Sequence, residues 1–309
     1  MTPEHEKYLL GLLRFRCTTL SDLEEQTDKL CLAAVKANGY DLKYVKNKTY
    51  EICMMAIKST GLALKYVDSK NVTSSEIYAL CLAAVKRSGG ALEFVKNHKF
   101  QNGTGLTSSE IKEICLAAVT NSRHQEDALW YVEDHKFQNG MGLTQSEIDE
   151  ICFASINTHG TSLKYVRNQT PEMCLAAVTN IGCALMHVKK QTREICLAAV
   201  KNWGRALESV ENQTPEICLA AVNKDGDALE FVQNQTPEIC LAAVMQTGSA
   251  LYHVKKQTLE LCLAAVKRSG IFGRCFVNSE FKDDVERLLQ LETLFNQLLQ
   301  SQESKCARQ

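Results

Sequence analysis

The stretch Gln213-Thr214-Pro215-Glu216-Ile217-Cys218-Leu219-Ala220-Ala221-Val222, followed by Gly226 and by Ala228-Leu229-Glu230-Phe231-Val232, decides the fold of this chain, because it recurs nearly unchanged along it. A cysteine marks each copy: Cys31, Cys53, Cys81, Cys115, Cys152, Cys174, Cys196, Cys218, Cys240 and Cys262. From Cys152 onward the spacing is 22 residues, and the earlier gaps of 22, 28, 34 and 37 carry insertions on the same unit. A period in this range predicts a solenoid, whose units bury their apolar faces only against their neighbours.

Within one unit, Thr214 suits a helix N-cap, Pro215 the first helical position, and Glu216 the positive helix end. Ile217 to Val222 are apolar at consecutive positions, so more than one face is covered, as an inner helix between neighbours requires. Gly226 is expected to end that helix in a left-handed conformation. A second helix of about two turns should follow, burying Ala228, Leu229 and Val232 while Glu230 and Gln233 face outward. So short a helix does not persist alone in water, and stacking must hold it. The in-register amides Gln191, Gln213, Gln235 and Gln257 should satisfy backbone groups at the turns.

The insertions also follow a pattern. Thr73, Thr107 and Thr144 stand eight residues before their cysteines, and Glu76, Glu110 and Glu147 follow three residues later. These are capping boxes, and the three helices should start one turn early. Near-identical loops, His98 to Leu106 and His135 to Leu143, precede two of them. Arg123 to Glu126 replace the repeat glycine in the fourth unit and lengthen it by three residues. The predicted organisation is an N-terminal capping segment over residues 1–26, the array over 27–277, and a C-terminal amphipathic helix and tail over 278–309. The fold class is all-α: a solenoid of about ten two-helix, 22-residue repeats with terminal capping helices. The C-terminal spacing of Phe281, Val285, Leu288, Leu291, Phe295 and Leu298 would also serve a short coiled coil, but three heptad turns favour a cap.

Composition narrows the function classes. The net charge is -1, with both signs mixed throughout, so nothing demands a polyanionic partner. No apolar run approaches a membrane span, and the N-terminus lacks a secretory pattern, so the expected setting is cytoplasmic. One cysteine per stacked unit suits neither a disulfide, which needs Cα atoms about 4.4–6.8 Å apart, nor a zinc thiolate cluster. The row reads as small buried apolar residues in a reducing compartment. Cys17, Cys183 and Cys275 have no local base or glycine-rich loop, and no acid, base or nucleophile set stands apart from the repeat. No enzyme, metal or cofactor is therefore expected. Cys306 has the position of a prenylation cysteine, but Arg308 and the absence of a polybasic run disfavour it.

The phrase Gln-Thr-Pro-Glu-Ile-Cys-Leu-Ala-Ala-Val, with its glycine and Ala-Leu-x-x-Val, resembles a helical-repeat family of unknown function found in large DNA viruses, protists and some bacteria. The likeness runs over residues 27–277 and departs at Arg123 to Glu126, at the two loops and after Gly270. It implies a helical array and a viral or protist setting, and it brings no activity with it.

The candidate binding residues form a row thirteen places after each cysteine: Tyr44, Tyr66, Phe94, Tyr165, His187, Phe231 and His253, with Tyr131 in step after the local insertion and Ser209 interrupting. Such rings offer a large contact area at low entropic cost, or they simply cover the apolar core. The duplicated loops give a second candidate, His98, Phe100, His135 and Phe137, because loops on rigid scaffolds commonly carry binding. The expected function is a non-enzymatic protein-interaction scaffold, in host cytoplasm or a virion if the setting is viral. Two alternatives stand beside it: a structural or packaging component of a virus particle, and single-stranded nucleic-acid binding through the aromatic row. The position before each ring holds Lys43, Lys65, Glu93, Trp130, Lys164, Met186, Glu208, Glu230 and Tyr252, and this mixture disfavours a phosphate track.

Overall fold

The computed structural model describes residues 2–15, 17–68, 72–95, 106–121, 125–133 and 142–306. The loop candidates His98, Phe100, His135 and Phe137 lie outside these residues. Every regular element among the described residues is helical, and the chain divides into two compact units, 1–173 and 174–309.

In the second unit three repeats each pair a ten-residue α-helix with a 3-10 helix: Arg193–Asn202 with Gly204–Ser209, Pro215–Lys224 with Gly226–Phe231, and Pro237–Gln246 with Gly248–His253. Each α-helix packs on the next, and each 3-10 helix packs on the next, giving two stacked rows. The first unit stacks in the same way through Asp28–Ala37, Tyr50–Ser59, Ser74–Arg87, Ser108–Asn121 and Gln145–Thr158. The solenoid-like all-α repeat is thus present in both units. Ile217, Cys218, Ala221 and Val222 are buried on the long helix, and Ala228, Leu229 and Val232 on the short element.

Helix starts follow the sequence closely. The Thr214 hydroxyl accepts from the Ile217 N–H at 3.3 Å with Pro215 at the first helical position. The three boxes close as well: the Glu76, Glu110 and Glu147 carboxylates accept from the Thr73, Thr107 and Thr144 N–H groups at 2.7, 2.8 and 2.8 Å. Their helices run 14 residues, one turn more than the regular ten.

Two expectations are refined or corrected. The second helix, expected at about two turns, is a six-residue 3-10 helix in the regular repeats. Asp225 is extended, Ala228 N–H donates to the Asp225 carbonyl at 2.9 Å, and Val232 N–H to Leu229 at 3.1 Å. Six residues between two extended ones leave little room for i→i+4 bonding, and the tighter 3-10 winding fits. Where three residues are added, in the fourth repeat, the element becomes a nine-residue α-helix, Gln125–Glu133. The second correction concerns the repeat glycine. Among the described glycines only Gly142 and Gly270 have positive φ, so Gly226 is not a left-handed cap. A Cβ there would lie 2.6 Å from the Ala243 carbonyl oxygen and 3.0 Å from Thr247 Cβ of the next repeat. Gly182 and Gly204 meet Ala199 and Ala221 oxygens at 2.6 and 2.7 Å. The glycine is needed because consecutive repeats touch there backbone to backbone.

The glutamine row ties repeats together. Gln235 Nε2 donates to the Leu229 carbonyl of its own repeat at 3.4 Å and to the His253 carbonyl of the next at 2.8 Å, while its Oε1 accepts from the Lys255 N–H at 2.9 Å. Gln213 and Gln257 repeat this with Phe231 and Phe276, and in the first unit Gln26 does so with Tyr44. The cysteine thiols complete it, with Cys240 donating to the same Gln235 oxygen at 3.7 Å. Three bonds of about 1 kcal/mol each, and carbonyls left unpaired without them, give Gln235→Ala an expected destabilisation of about 2–4 kcal/mol in urea unfolding. Gln235→Glu should not rescue it, because a carboxylate keeps the acceptor and loses both donors.

The ends differ from the array. Helix Pro3–Arg14 carries Glu6, which accepts from the Thr27 hydroxyl at 2.6 Å. At the other end Gly270, with φ 57°, opens a short helix Ile271–Cys275, and the long helix Lys282–Cys306 follows. Ion pairs Lys267–Glu292 and Arg274–Glu286, at 2.7 and 3.3 Å, join it to the array, and Val285 is buried. Leu291, Phe295 and Leu298 further along are exposed.

Candidate functional site

The 3-10 elements place the ring row. Tyr44, Tyr66, Tyr165, His187, Phe231 and His253 are each the last residue of such an element, followed by an extended valine that turns inward. Phe94 and Tyr131 occupy the same place on the helices Leu92–Val95 and Gln125–Glu133. All of these rings are half-buried apart from Tyr44, which is at the margin of exposed. Their position serves the backbone too, since the carbonyls of Tyr44, Phe231 and His253 are those bonded by the glutamines.

Cations from the chain cover most of these rings. The Lys43 ammonium lies 4.4 Å from the Tyr44 centroid and that of Lys164 4.7 Å from Tyr165. The Arg205 guanidinium lies 4.9 Å from Phe231 and pairs with Glu230 at 3.4 Å. Lys65 stands 6.0 Å from both Tyr66 and Phe94, at the limit of such an interaction. In two repeats the residue after the repeat glycine reaches the ring of the next repeat: Tyr40 packs edge-on to Tyr66, with centroids 6.5 Å apart, and the Arg205 guanidinium lies over Phe231.

The lysine before the ring is not general, since Met186, Glu208, Glu230 and Tyr252 replace it in repeats six to nine, and in repeats three and four two changes coincide. Glu93 and Trp130 stand where Lys43, Lys65 and Lys164 stand elsewhere, and Gly90 stands where Tyr40 and Arg205 do. A Cβ on Gly90 would meet nothing closer than 3.9 Å. The missing side chains leave a groove of about 490 Å³ in the first unit, walled by Phe94, Trp130, Tyr131 and Tyr165, with Leu62 and Ser88 beneath. Trp130 packs edge-on to Tyr131 at 4.9 Å and is 53% exposed. Among the described residues Glu93 is the one acidic group lining it, and its carboxylate accepts from the Tyr131 hydroxyl at 3.4 Å. Three of the row's rings thus meet in one site, together with two residues that sequence reasoning had used only to weigh charge.

In the second unit the row continues as His187, Ser209, Phe231 and His253, with Tyr252 edge-on to His253 and Phe276. Among the described residues no group of three His, Cys, Asp or Glu is placed to hold a metal ion, and no helix is long and apolar enough to cross a membrane. The marker cysteines are buried and none of them is in a disulfide among the described residues. Burial pushes the Cys81 and Cys115 thiols up to about 12. At Cys152 burial and the Glu133 carboxylate, which accepts from the thiol at 3.2 Å, act in the same direction. Such thiols stay protonated at neutral pH and are poor nucleophiles.

A family model described as a domain of unknown function, DUF4116, matches residues 29–71, which hold the first two marker cysteines. No curated protein and no solved structure matches the chain.

Proposed function

We propose that the chain is a non-enzymatic protein-binding scaffold and that the aromatic groove of the first unit is its principal contact site. The observation that carries this reading is the meeting of Phe94, Trp130, Tyr131 and Tyr165, drawn from three successive repeats, in one half-buried groove. Large rings on a rigid stack present apolar area without ordering cost, as anchor sites at protein interfaces do. Few polar groups in a mostly apolar concavity give orientation.

Affinity capture from the native cell tests it, comparing the intact chain with Gly90→Leu and Trp130→Ala. Both variants should lose one specific protein, Gly90→Leu by filling the groove without crowding the fold and Trp130→Ala by removing its most exposed wall. Retention of every partner by both variants would overturn the assignment.

Single-stranded nucleic acid is the second reading, favoured by the lysine–ring pairs Lys43–Tyr44 and Lys164–Tyr165 on either side of the groove. Glu93 and Trp130 interrupt that track. Retention on a polynucleotide that falls steeply with salt would move this reading ahead.

A further inference from the structure

We propose that the long C-terminal helix, Lys282–Cys306, pairs with the same helix of a second copy of the chain, side by side and in the same direction. The pairing is independent of the groove in the first unit.

The helix is anchored only at its start. Among its described residues Val285 alone is buried, and the ion pairs Glu286–Arg274 and Glu292–Lys267 hold it to the array. Between Glu292 and Gln300 every residue is exposed, with Leu294, Phe295 and Leu299 at 56, 61 and 44%. The terminal element of a repeat array is expected to turn a polar face outward. This one turns out leucines, and apolar surface gathered into one stripe marks an interaction site.

The spacing specifies what covers it. Leu288, Leu291 and Phe295 are exposed and follow one another at steps of three and four, with Leu298 next in the same spacing. A seam of that period is matched by a second helix of the same period. The flanking residues then select the partner and its direction. In a parallel pair each flanking residue faces the one five places further along the other helix, so Arg287 meets Glu292 of the second copy and Leu294 meets Leu299. Opposite charges meet in one turn and apolar side chains in the next. Arg287 leans only loosely on Asp284 of its own helix, at 3.7 Å, and its side chain is 73% exposed. Antiparallel pairing over the same stripe would instead set the two Glu292 carboxylates against each other, which is unfavourable. A lipid surface fits less well, because residues 282–300 hold four acidic groups against Lys282 and Arg287, whereas interfacial helices are rich in lysine and arginine. Leu288 to Leu299 cover only about three turns, or about 17 Å, so the contact is smaller than a standard interface of about 800 Å² per partner and a micromolar dissociation constant is expected.

Sedimentation equilibrium of the full chain from about 1 to 100 µM tests the proposal, and a monomer–dimer equilibrium should appear within that range. Phe295→Asp should raise the dissociation constant at least about tenfold, and Arg287→Glu, which leaves the seam intact, about fivefold. Circular dichroism and the thermal midpoint of both variants at monomeric concentration should match those of the parent, since both side chains are exposed. For direction, Cys17, Cys275 and Cys306 are replaced by serine and Leu291→Cys is added. Mild oxidation should then join two chains through position 291 of both. A monomer at every concentration overturns the inference, and so does a dimer that neither variant weakens. A dimer weakened by both variants but giving no link at position 291 overturns the parallel arrangement. Retention of a monomeric chain on vesicles of phosphatidylserine and phosphatidylcholine, lost in Phe295→Asp, also overturns the inference and assigns the stripe to a lipid surface.

Discussion

Gly226→Ala is expected to destabilise the protein by about 3 kcal/mol, the upper end of what overpacking a close contact costs. The sign is not obvious from the backbone. Gly226 lies in the ordinary half of φ space, where alanine normally stabilises by about 0.4–1 kcal/mol through the unfolded chain. The close approach of the next repeat decides the outcome. A Cβ would sit 2.6 Å from the Ala243 carbonyl oxygen and 3.1 Å from the Thr247 N–H nitrogen, both backbone atoms that no side-chain change can move aside. The next repeat must therefore shift as a body, and the stacked rows on both sides resist it. Gly11→Ala is the control: it lies in helix Pro3–Arg14 with nothing within 4 Å of the added carbon. That change should stabilise by about 0.5–1 kcal/mol. Urea unfolding of the two variants side by side checks the pair, and a neutral Gly226→Ala would show that the repeats do not approach as closely as described.

The role of this glycine illustrates what the sequence could and could not disclose. A glycine after a helix suits a left-handed cap and a tight contact equally well, and only the position of the neighbouring repeat distinguishes them. The helix starts were different. Thr214 with Pro215, and Thr73 with Glu76, act within one turn of chain, so their spacing alone specified where helices begin and which ran 14 residues. The second element was legible as a buried Ala228, Leu229 and Val232 face but not as a 3-10 helix. That face fits both windings: the regular repeats wind it as a 3-10 helix, the third repeat ends it in the α-helix Leu92–Val95, and the lengthened fourth makes it the α-helix Gln125–Glu133.

For the site, the ring row was visible as a column, yet the groove was not. Its making depends on which residue of one repeat reaches which ring of the next, a register that Tyr40 on Tyr66 and Arg205 on Phe231 reveal. With that register known, the doubled Gly89-Gly90 becomes a signal of an opening. Without it the doublet reads as ordinary variation. The loop candidates His98, Phe100, His135 and Phe137 fall outside the described residues, and the binding assignment rests on the ring row alone.

Raising the pH above about 9 is expected to unfold the protein far more steeply than a chain of similar charge, because its buried thiols resist ionisation while unfolded ones do not. Burial pushes Cys53, Cys81 and Cys115 up to about 12 from an ordinary 9.0, and moves Cys174, Cys196, Cys218, Cys240 and Cys262 in the same direction. Below pH 9 each thiol is neutral in both states, and the full stability is present. Between about 9 and 12 the unfolded thiol loses its proton and the folded one keeps it, so stability falls with rising pH. Each such thiol contributes a limiting slope of about 1.4 kcal/mol per pH unit. Cys53, Cys81 and Cys115 together reach about 4 kcal/mol per unit, against a total stability of about 5–15 kcal/mol for a typical domain. Lysines and tyrosines titrate in the same range, so the informative quantity is the difference made by removing thiols. Replacing Cys53, Cys81 and Cys115 by alanine should lower the thermal midpoint at pH 7 through the lost packing and flatten its decline between pH 9 and 11. An alkylating reagent at pH 8 should first label the exposed Cys17 and Cys275 and spare the buried row until the array opens. An unchanged alkaline slope in the triple variant would mean that the cysteine row does not set the pH limit of the fold.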